Sequence, residues 1–138
     1  MIPFTWNTRI RFADTDASGR IHYSALFLHV EAAEMEFFRA IGMPFPALLS
    51  MEVKFPRVHA EADYLGALRS DDPIEISVWV ERIGRASYTL AFEVTTDGRL
   101  AGRSKIVVAC MDGKTEKSHA LPEVLVRLLR PYLAAPTR

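Results

Sequence analysis

Residues 12–42 read FADTDASGRIHYSALFLHVEAAEMEFFRAIG, and this stretch decides the predicted fold. It joins an acid-containing loop to one long helix. Apolar residues recur at spacings of three and four between Ser24 and Ile41, which predicts a helix with a wide apolar face. Gly42 stands where a helix C-cap is expected, and Pro44 follows it. We therefore expect other structure to enclose most of this helix.

The flanking sequence alternates in the manner of antiparallel strands. A half-buried strand is predicted from Trp6 to Ala13, with Trp6, Thr8, Ile10 and Phe12 on one face. Further strands are predicted at residues 52–55, 58–65, 73–82, 85–96 and 99–111, with a helical turn at 47–50 and a short helix at 122–129. The order of elements predicts the α+β class, as a single domain over residues 1–138. Because one helix covers only one face of a sheet, we expect a second copy of the chain to cover the other face.

Composition excludes several classes of protein. The 17 Lys and Arg residues balance the 17 Asp and Glu residues, which gives no support for nucleic acid or an anionic membrane as partner. The single cysteine, Cys110, forms no intrachain disulfide and is expected to be buried. His29, His59 and His119 lack ligand spacing, so we predict no metal. The sequence has no glycine-rich phosphate loop, and no cofactor is predicted. Without a signal-peptide pattern or an apolar run of about 20 residues, the expected location is cytoplasmic.

The loop before the helix contains the residues that suggest chemistry. Asp14 and Asp16 precede Gly19 and the predicted start of the helix. A carboxylate in this position can attack a carbonyl or activate water, while free N–H groups at the helix N-terminus stabilise a developing oxyanion. An Asx-turn or an N-cap acid is the purely structural interpretation of Asp16.

The run RFADTDASGRIHY at residues 11–23 resembles the active-site loop of hotdog-fold acyl-CoA thioesterases, most closely the 4-hydroxybenzoyl-CoA thioesterase family with its YbgC-type members. The element order and the segment at residues 70–76 extend this resemblance over most of the chain. The resemblance implies a hotdog fold, with an antiparallel sheet of about five strands wrapped around one long helix. It also implies a homodimer or a dimer of dimers that hydrolyses an acyl-CoA to a free acid and CoA. CoA would be part of the substrate, and acyl-carrier protein remains open as the thiol partner.

The resemblance also assigns roles to residues of the loop. Asp16 matches the catalytic aspartate, as nucleophile or as general base for water. Tyr23 matches the residue whose backbone N–H polarises the thioester carbonyl, and packing in the core is its structural alternative. Gly19 is expected to supply a positive φ or a close approach of substrate. Asp14 is interpreted as a loop-stabilising acid. His22 departs from the family pattern, and it could orient water, contact the acyl group or cap the helix.

Four residues are predicted to bind substrate through the CoA moiety. The segment at residues 81–88 resembles the region where relatives hold the nucleotide, and arginine is suited to phosphate. The predicted residues are Arg57, Arg82, Arg85 and Ser87, and a solvated surface position is the alternative for each arginine. Glu31 and Glu34 share a helix face. Some relatives use a helix glutamate in catalysis, but a solvated or interface-polar face is the favoured interpretation of this pair.

Two other functions remain open. The first is a hotdog enoyl-CoA hydratase or dehydratase, which needs a paired aspartate and histidine in a different motif. The second is a non-catalytic protein that binds acyl thioesters. The apolar helix admits aromatic and aliphatic acyl groups equally, so the sequence does not select the acyl group.

Overall fold

A computed structural model describes residues 1–134 of the chain. In chain order the elements are β1 (Phe4–Arg9), α1 (Tyr23–Ala40), α2 (Phe45–Leu49), β2 (Val53–Lys54), β3 (Arg57–Tyr64), β4 (Pro73–Ile83), β5 (Ser87–Thr96), β6 (Arg99–Ala109), β7 (Met111–Asp112) and α3 (Glu123–Leu129). Five strands form one antiparallel sheet in the order β1-β4-β5-β6-β3, and β2 pairs with β7. The predicted α+β class, with one long helix against a five-stranded antiparallel sheet, is confirmed.

The core lies between α1 and one face of the sheet. Leu26, Val30, Phe37 and Phe38 project from the helix at the predicted spacing, and all are buried. They pack within a cluster that includes Ile76, Val78, Leu90 and Phe92 of the sheet. Burying a side chain of this size contributes about 1.5–3 kcal/mol, so this face fixes the helix on the sheet.

The first strand departs from its prediction. It begins at Phe4 and ends at Arg9, and Phe12 is 84% exposed instead of sharing the buried face of Ile10. The Ile10 N–H donates to the Asp72 carbonyl at 2.9 Å, after which the chain leaves the sheet and forms a short 3₁₀ turn at Phe12–Asp14. The alternation of Trp6, Thr8 and Ile10 is correct, but its extension to Phe12 is wrong because this turn intervenes.

The outer face of the sheet is polar. Lys105 pairs with Glu81 at 2.7 Å, and Arg103 pairs with Glu93 at 3.4 Å. These charged pairs are solvated, so this face does not by itself require cover by a second chain. This face therefore gives no ground for the expected dimer, which stays a prediction.

The sheet has two edge strands, β1 and β3, and the β3 edge is flanked by exposed apolar side chains. β3 pairs only with β6, and most of its residues are exposed. Large apolar side chains on β3, after it and on the adjacent part of α1 are exposed: Val58, Tyr64, Leu65, Tyr23 and Leu28. An open edge flanked by exposed apolar residues is a surface suited to pairing with another strand.

Candidate active site

The acid loop is a compact turn closed by its own backbone. Thr15 and Ile21 form an antiparallel bridge, and the Asp16 N–H donates to the Arg20 carbonyl at 2.9 Å. The Gly19 N–H donates to the Asp16 carbonyl at 3.0 Å. Gly19 has φ +81°, which confirms the predicted positive φ, and no atom lies within 4 Å of the place where a Cβ would stand. Backbone conformation, and not crowding, therefore favours glycine here.

Asp16 presents an ionised carboxylate at the surface of this loop. Its Oδ1 accepts hydrogen bonds from the Ser18 hydroxyl at 2.5 Å and the Ser18 N–H at 2.8 Å. These two bonds lower the pKa of Asp16, and the side chain is exposed in the single chain. The geometry is that of an Asx-turn, the structural interpretation of this residue. An Asx-turn and a catalytic role are compatible because the turn uses Oδ1.

His22 caps the long helix. Its Nδ1 accepts from the Ser24 N–H at 3.2 Å and lies 2.7 Å from the Ser24 hydroxyl, while its ring stacks on Tyr23 at 4.5 Å. An Nδ1 that accepts from a backbone N–H carries no hydrogen, so the neutral ring has its hydrogen on Nε2. The capping role proposed for His22 is present. Its other two proposed roles remain predictions.

Tyr23 is the first residue of α1, and its backbone N–H points out of the helix end. Its neighbours Ser24 and Ala25 donate to His22, but within residues 1–134 no acceptor is found for the Tyr23 N–H. The ring is 70% exposed, which contradicts the alternative that it packs in the core. A free N–H at the positive end of a helix dipole is suited to binding a partial negative charge.

Asp14 connects the loop to the helix through a histidine that sequence reasoning considered only as a metal ligand. Asp14 Oδ2 accepts from the Arg11 N–H at 2.8 Å, which confirms the loop-stabilising interpretation. The same oxygen lies 2.7 Å from His29 Nε2, and both side chains are largely buried. A buried histidine on an apolar helix face needs a polar partner, and this requirement could have predicted that His29 contacts an acid. The sequence alone does not say which acid supplies it.

The predicted substrate-binding residues do not lie with Asp16 in one chain. Arg82 and Arg85 are exposed at the β4–β5 turn, which the Gly84 N–H closes by donating to the Ser87 carbonyl at 2.7 Å. The acid loop meets the opposite end of β4, since the Ile21 N–H donates to the Leu68 carbonyl at 2.8 Å. The hairpin and the loop are thus separated by the length of a strand.

Arg57 and Glu34 form an ion pair in which the glutamate is buried and the arginine is partly exposed. Arg57 Nη2 donates to Glu34 Oε1 at 2.6 Å, while Glu34 is only 4% exposed. The second oxygen, Oε2, is buried without a hydrogen-bond partner, and burial raises the pKa of Glu34 although Arg57 acts in the opposite direction. The solvated-face interpretation is wrong for Glu34, which turns inward; it holds for exposed Glu31. Nor is Arg57 a free surface cation.

Arg57 also lines an apolar cleft at this end of the molecule. The cleft has a volume of about 540 Å³, and Tyr88 and Arg57 contribute to its lining. Its apolar residues are Phe45, Leu48, Leu49, Met51, Val53 and Phe55. Glu34 follows Tyr23 by eleven residues, so the cleft lies about 16 Å along α1 from the helix N-terminus. A larger depression of about 840 Å³ beside Arg9 is shallow and polar and contains none of the predicted site residues.

The rest of the described chain offers little evidence for other kinds of functional site. Within residues 1–134 no group of three or more His, Cys, Asp and Glu side chains is placed to hold a metal ion. In the same range, no helix combines the length and the apolar character needed to cross a membrane. Cys110 is buried as predicted, and burial raises the pKa of its thiol.

Comparison with known proteins identifies relatives along almost the whole chain. Residues 10–129 match the family described as the thioesterase-like superfamily. A 1,4-dihydroxy-2-naphthoyl-CoA hydrolase of Prochlorococcus marinus is 30% identical over 87% of this chain and 85% of its own. The acyl-CoA thioester hydrolase YbgC of Escherichia coli is 27% identical over 89% of this chain and 92% of its own. The crystal structure of a 1,4-dihydroxy-2-naphthoyl-CoA thioesterase from Synechocystis has a TM-score of 0.86 at 17% identity, covering 92% of this chain and 95% of that one, and it shows the shared fold.

Proposed function

The chain belongs to the thioesterase-like superfamily, and from this premise we propose that it hydrolyses an acyl-CoA thioester to a free acid and CoA. The observation that carries the proposal is that two groups suited to acyl transfer stand in the loop before α1 and at the first residue of α1. Asp16 offers an ionised carboxylate, and Tyr23, seven residues later, offers an unpaired N–H at the helix start. A nucleophile and an oxyanion donor are the two parts that acyl transfer requires.

In the proposed reaction, Asp16 attacks the carbonyl carbon of the thioester. The carbonyl π electrons move to oxygen, where the Tyr23 N–H stabilises the charge. Collapse of this intermediate breaks the C–S bond, and the thiolate of CoA leaves with the electron pair. Water then hydrolyses the mixed anhydride, which releases the acid and regenerates the carboxylate.

The hydrogen bonds of Asp16 are compatible with direct attack. The Ser18 hydroxyl and N–H lower the pKa of Asp16, so its carboxylate is ionised at neutral pH, as both a nucleophile and a general base must be. Attack by Oδ2 would leave the Ser18 bonds to Oδ1 in place.

The proposed site is completed by a second copy of the chain. Asp16 is exposed in the single chain, whereas thioester hydrolysis benefits from a site that excludes water. β3 begins at Arg57, beside the cleft, and ends at Tyr64, whose hydroxyl donates to the Tyr23 carbonyl. If two β3 edges pair antiparallel about a two-fold axis, the start of one strand meets the end of the other. One chain's cleft then approaches the other chain's acid loop.

This pairing also accounts for the distant substrate-binding predictions. The β4–β5 turn with Arg82, Arg85 and Ser87 lies at the cleft end of the sheet, so pairing brings it toward the partner's loop. We propose that the cleft receives the apolar acyl group and that the exposed arginines bind the CoA phosphates.

Thiol release from a panel of aryl, short-chain and long-chain acyl-CoAs tests the activity. Asp16→Asn should lose hydrolysis by about 10²–10⁴-fold, because the amide keeps the Oδ1 acceptor for Ser18 but cannot attack. Asp97→Asn, at the exposed β5–β6 turn, is the matched control and should retain full activity. Unchanged turnover in a folded Asp16→Asn protein would remove Asp16 from the mechanism.

Light scattering on a sizing column tests the pairing. Val58 is 61% exposed on β3, so Val58→Asp should leave the chain folded while it destabilises edge pairing. The variant is expected to be a monomer with little activity. A native protein that is monomeric and fully active would contradict the composite site.

The hydratase alternative has one structural point in its favour, the Asp14–His29 pair. Both side chains are largely buried and directed at each other, which leaves neither facing a substrate in the described chain. Loss of the conjugated double bond of an enoyl-CoA without release of thiol would nevertheless favour it. Binding of acyl-CoA without either reaction would favour the non-catalytic alternative.

A further inference from the structure

We propose that Asp14 and His29 are positioning residues that hold the acid loop and the start of α1 in register for catalysis. This inference rests on the proposed function of Asp16 and Tyr23. It concerns two side chains that do not face substrate, and it assigns a role to a histidine that the proposed reaction does not use.

Asp14 makes hydrogen bonds on both sides of the loop. Its Oδ2 accepts from the Arg11 N–H at 2.8 Å, before the loop, and lies 2.7 Å from His29 Nε2 on the second turn of α1. Its main-chain carbonyl accepts from the His22 N–H at 2.7 Å, one residue before Tyr23. One residue thus contacts the loop entry, the helix cap and the body of the helix.

The bond to His29 is a strong one. Burial opposes ionisation of Asp14, but the Arg11 and His29 hydrogen bonds outweigh it and lower the pKa of Asp14. Because the carboxylate is ionised and acts only as an acceptor, His29 Nε2 donates the hydrogen. The two side chains are 14% and 10% exposed, so water competes weakly for either group.

The consequence is a fixed relation between the two proposed reacting groups. Asp16 follows Asp14 by two residues, and the Tyr23 N–H follows the His22 N–H that Asp14 accepts. In the described chain the Asp16 side chain contacts only its own loop, through Ser18. Its place relative to the helix therefore depends on the Thr15–Ile21 bridge and on the contacts of Asp14, and displacement by about 1 Å is enough to cost a large part of the rate.

Substitutions at His29 test this role. His29→Leu fills similar space but removes the donor, whereas His29→Gln restores an N–H donor. We expect kcat of His29→Leu to fall about tenfold with KM changed less than about threefold, and His29→Gln to recover most of the loss. His119→Leu, an exposed histidine outside this region, is the control and should have native kinetics.

Amide hydrogen exchange of the loop provides a readout that does not depend on activity. In His29→Leu, exchange at residues 16–21 should accelerate at least tenfold, while the exchange of β4 and β5 stays native; His29→Gln should restore slow exchange in the loop. A folded His29→Leu protein with native loop exchange and native kcat would overturn the inference. An inactive wild-type protein, or an active Asp16→Asn variant, would instead overturn the proposed function, and the exchange result would still decide whether His29 holds the loop.

Discussion

The acid loop and the apolar cleft, at the two ends of α1, are built in opposite ways. The loop is exposed, is held mainly by backbone hydrogen bonds and presents an ionised carboxylate. The cleft is apolar, and the charge of Arg57 is already paired with a buried glutamate. The loop contains the proposed reacting groups but is open to water, and the cleft is enclosed but contains none of them. This difference supports the proposal that the two ends complete one site only when two chains pair.

Mixing two inactive variants tests this division most strongly. Asp16→Asn disables the loop, and Leu49→Arg places a charge in the cleft at a side chain that is 67% exposed and therefore tolerant of change. Each variant alone should lose about 10²-fold or more of the activity. A heterodimer purified through two different tags should regain about half of wild-type activity, because one intact loop then faces one intact cleft.

The comparison fails if that heterodimer stays inactive. In that case loop and cleft would have to act within one chain, whereas full activity of Leu49→Arg alone would mean that the cleft has no part in the reaction. Homodimers of each variant, carried through the same separation, control for subunit exchange.

Two substitutions of Tyr23 distinguish the contribution of its backbone N–H from that of its ring. Proline is well tolerated at the first position of a helix, and His22, at φ −67° and ψ 140°, has the conformation that a residue before proline prefers. Tyr23→Pro therefore removes the N–H while leaving the helix intact. We expect kcat to fall about 10²–10³-fold.

Tyr23→Ala is the matched control, since it keeps the N–H and loses the ring. Circular dichroism should show native helix content in both variants, and the alanine variant should stay within about threefold of native kcat. Equal losses in both variants would assign the effect to the ring and exclude the N–H as oxyanion donor.

The Glu34–Arg57 ion pair beside the cleft should affect stability more than rate. Glu34→Leu leaves the partly exposed Arg57 guanidinium without its acidic partner and should lower the free energy of unfolding by about 1.5 kcal/mol. Adding Arg57→Leu should recover much of this loss, because an apolar pair replaces the ion pair. Urea unfolding measures both. The exposed Glu81–Lys105 pair is the reference, and Glu81→Gln there should cost less than about 1 kcal/mol.

Sequence reasoning predicted one end of the molecule better than the other, for a physical reason. Local spacing determines the loop: Gly19 has the expected positive φ, and α1 begins one residue before its predicted start at Ser24. The roles of Asp16 and the Tyr23 N–H remain predictions. Sequence spacing could predict only that a carboxylate and the start of a helix are close in sequence.

The long-range contacts were not predictable in the same way. Glu34 and Glu31 are alike in sequence, and only the packing of α1 on the sheet turns Glu34 toward Arg57, twenty-three residues away. His29 and Asp14 are likewise fifteen residues apart. The prediction that Phe12 is buried was wrong because the alternation of a strand does not indicate where the chain leaves the sheet.

The smallest expected effect is the pH dependence of the stability that the Asp14 contacts give to the loop. Burial raises the pKa of Asp14, but the hydrogen bonds from Arg11 and His29 outweigh it, so the folded value lies below the ordinary 3.8. A lowered folded pKa means that the contact stabilises the protein above pH 3.8 and that this contribution is lost as the pH falls through the folded pKa. Asp14→Asn should therefore be less stable than wild type by about 1 kcal/mol at pH 7, with the difference shrinking toward zero as the pH falls below the folded pKa. Urea unfolding at several pH values measures it, with Asp97→Asn as the control. A difference that persists unchanged at the lowest pH would mean that Asp14 stabilises the loop through contacts that do not depend on its charge.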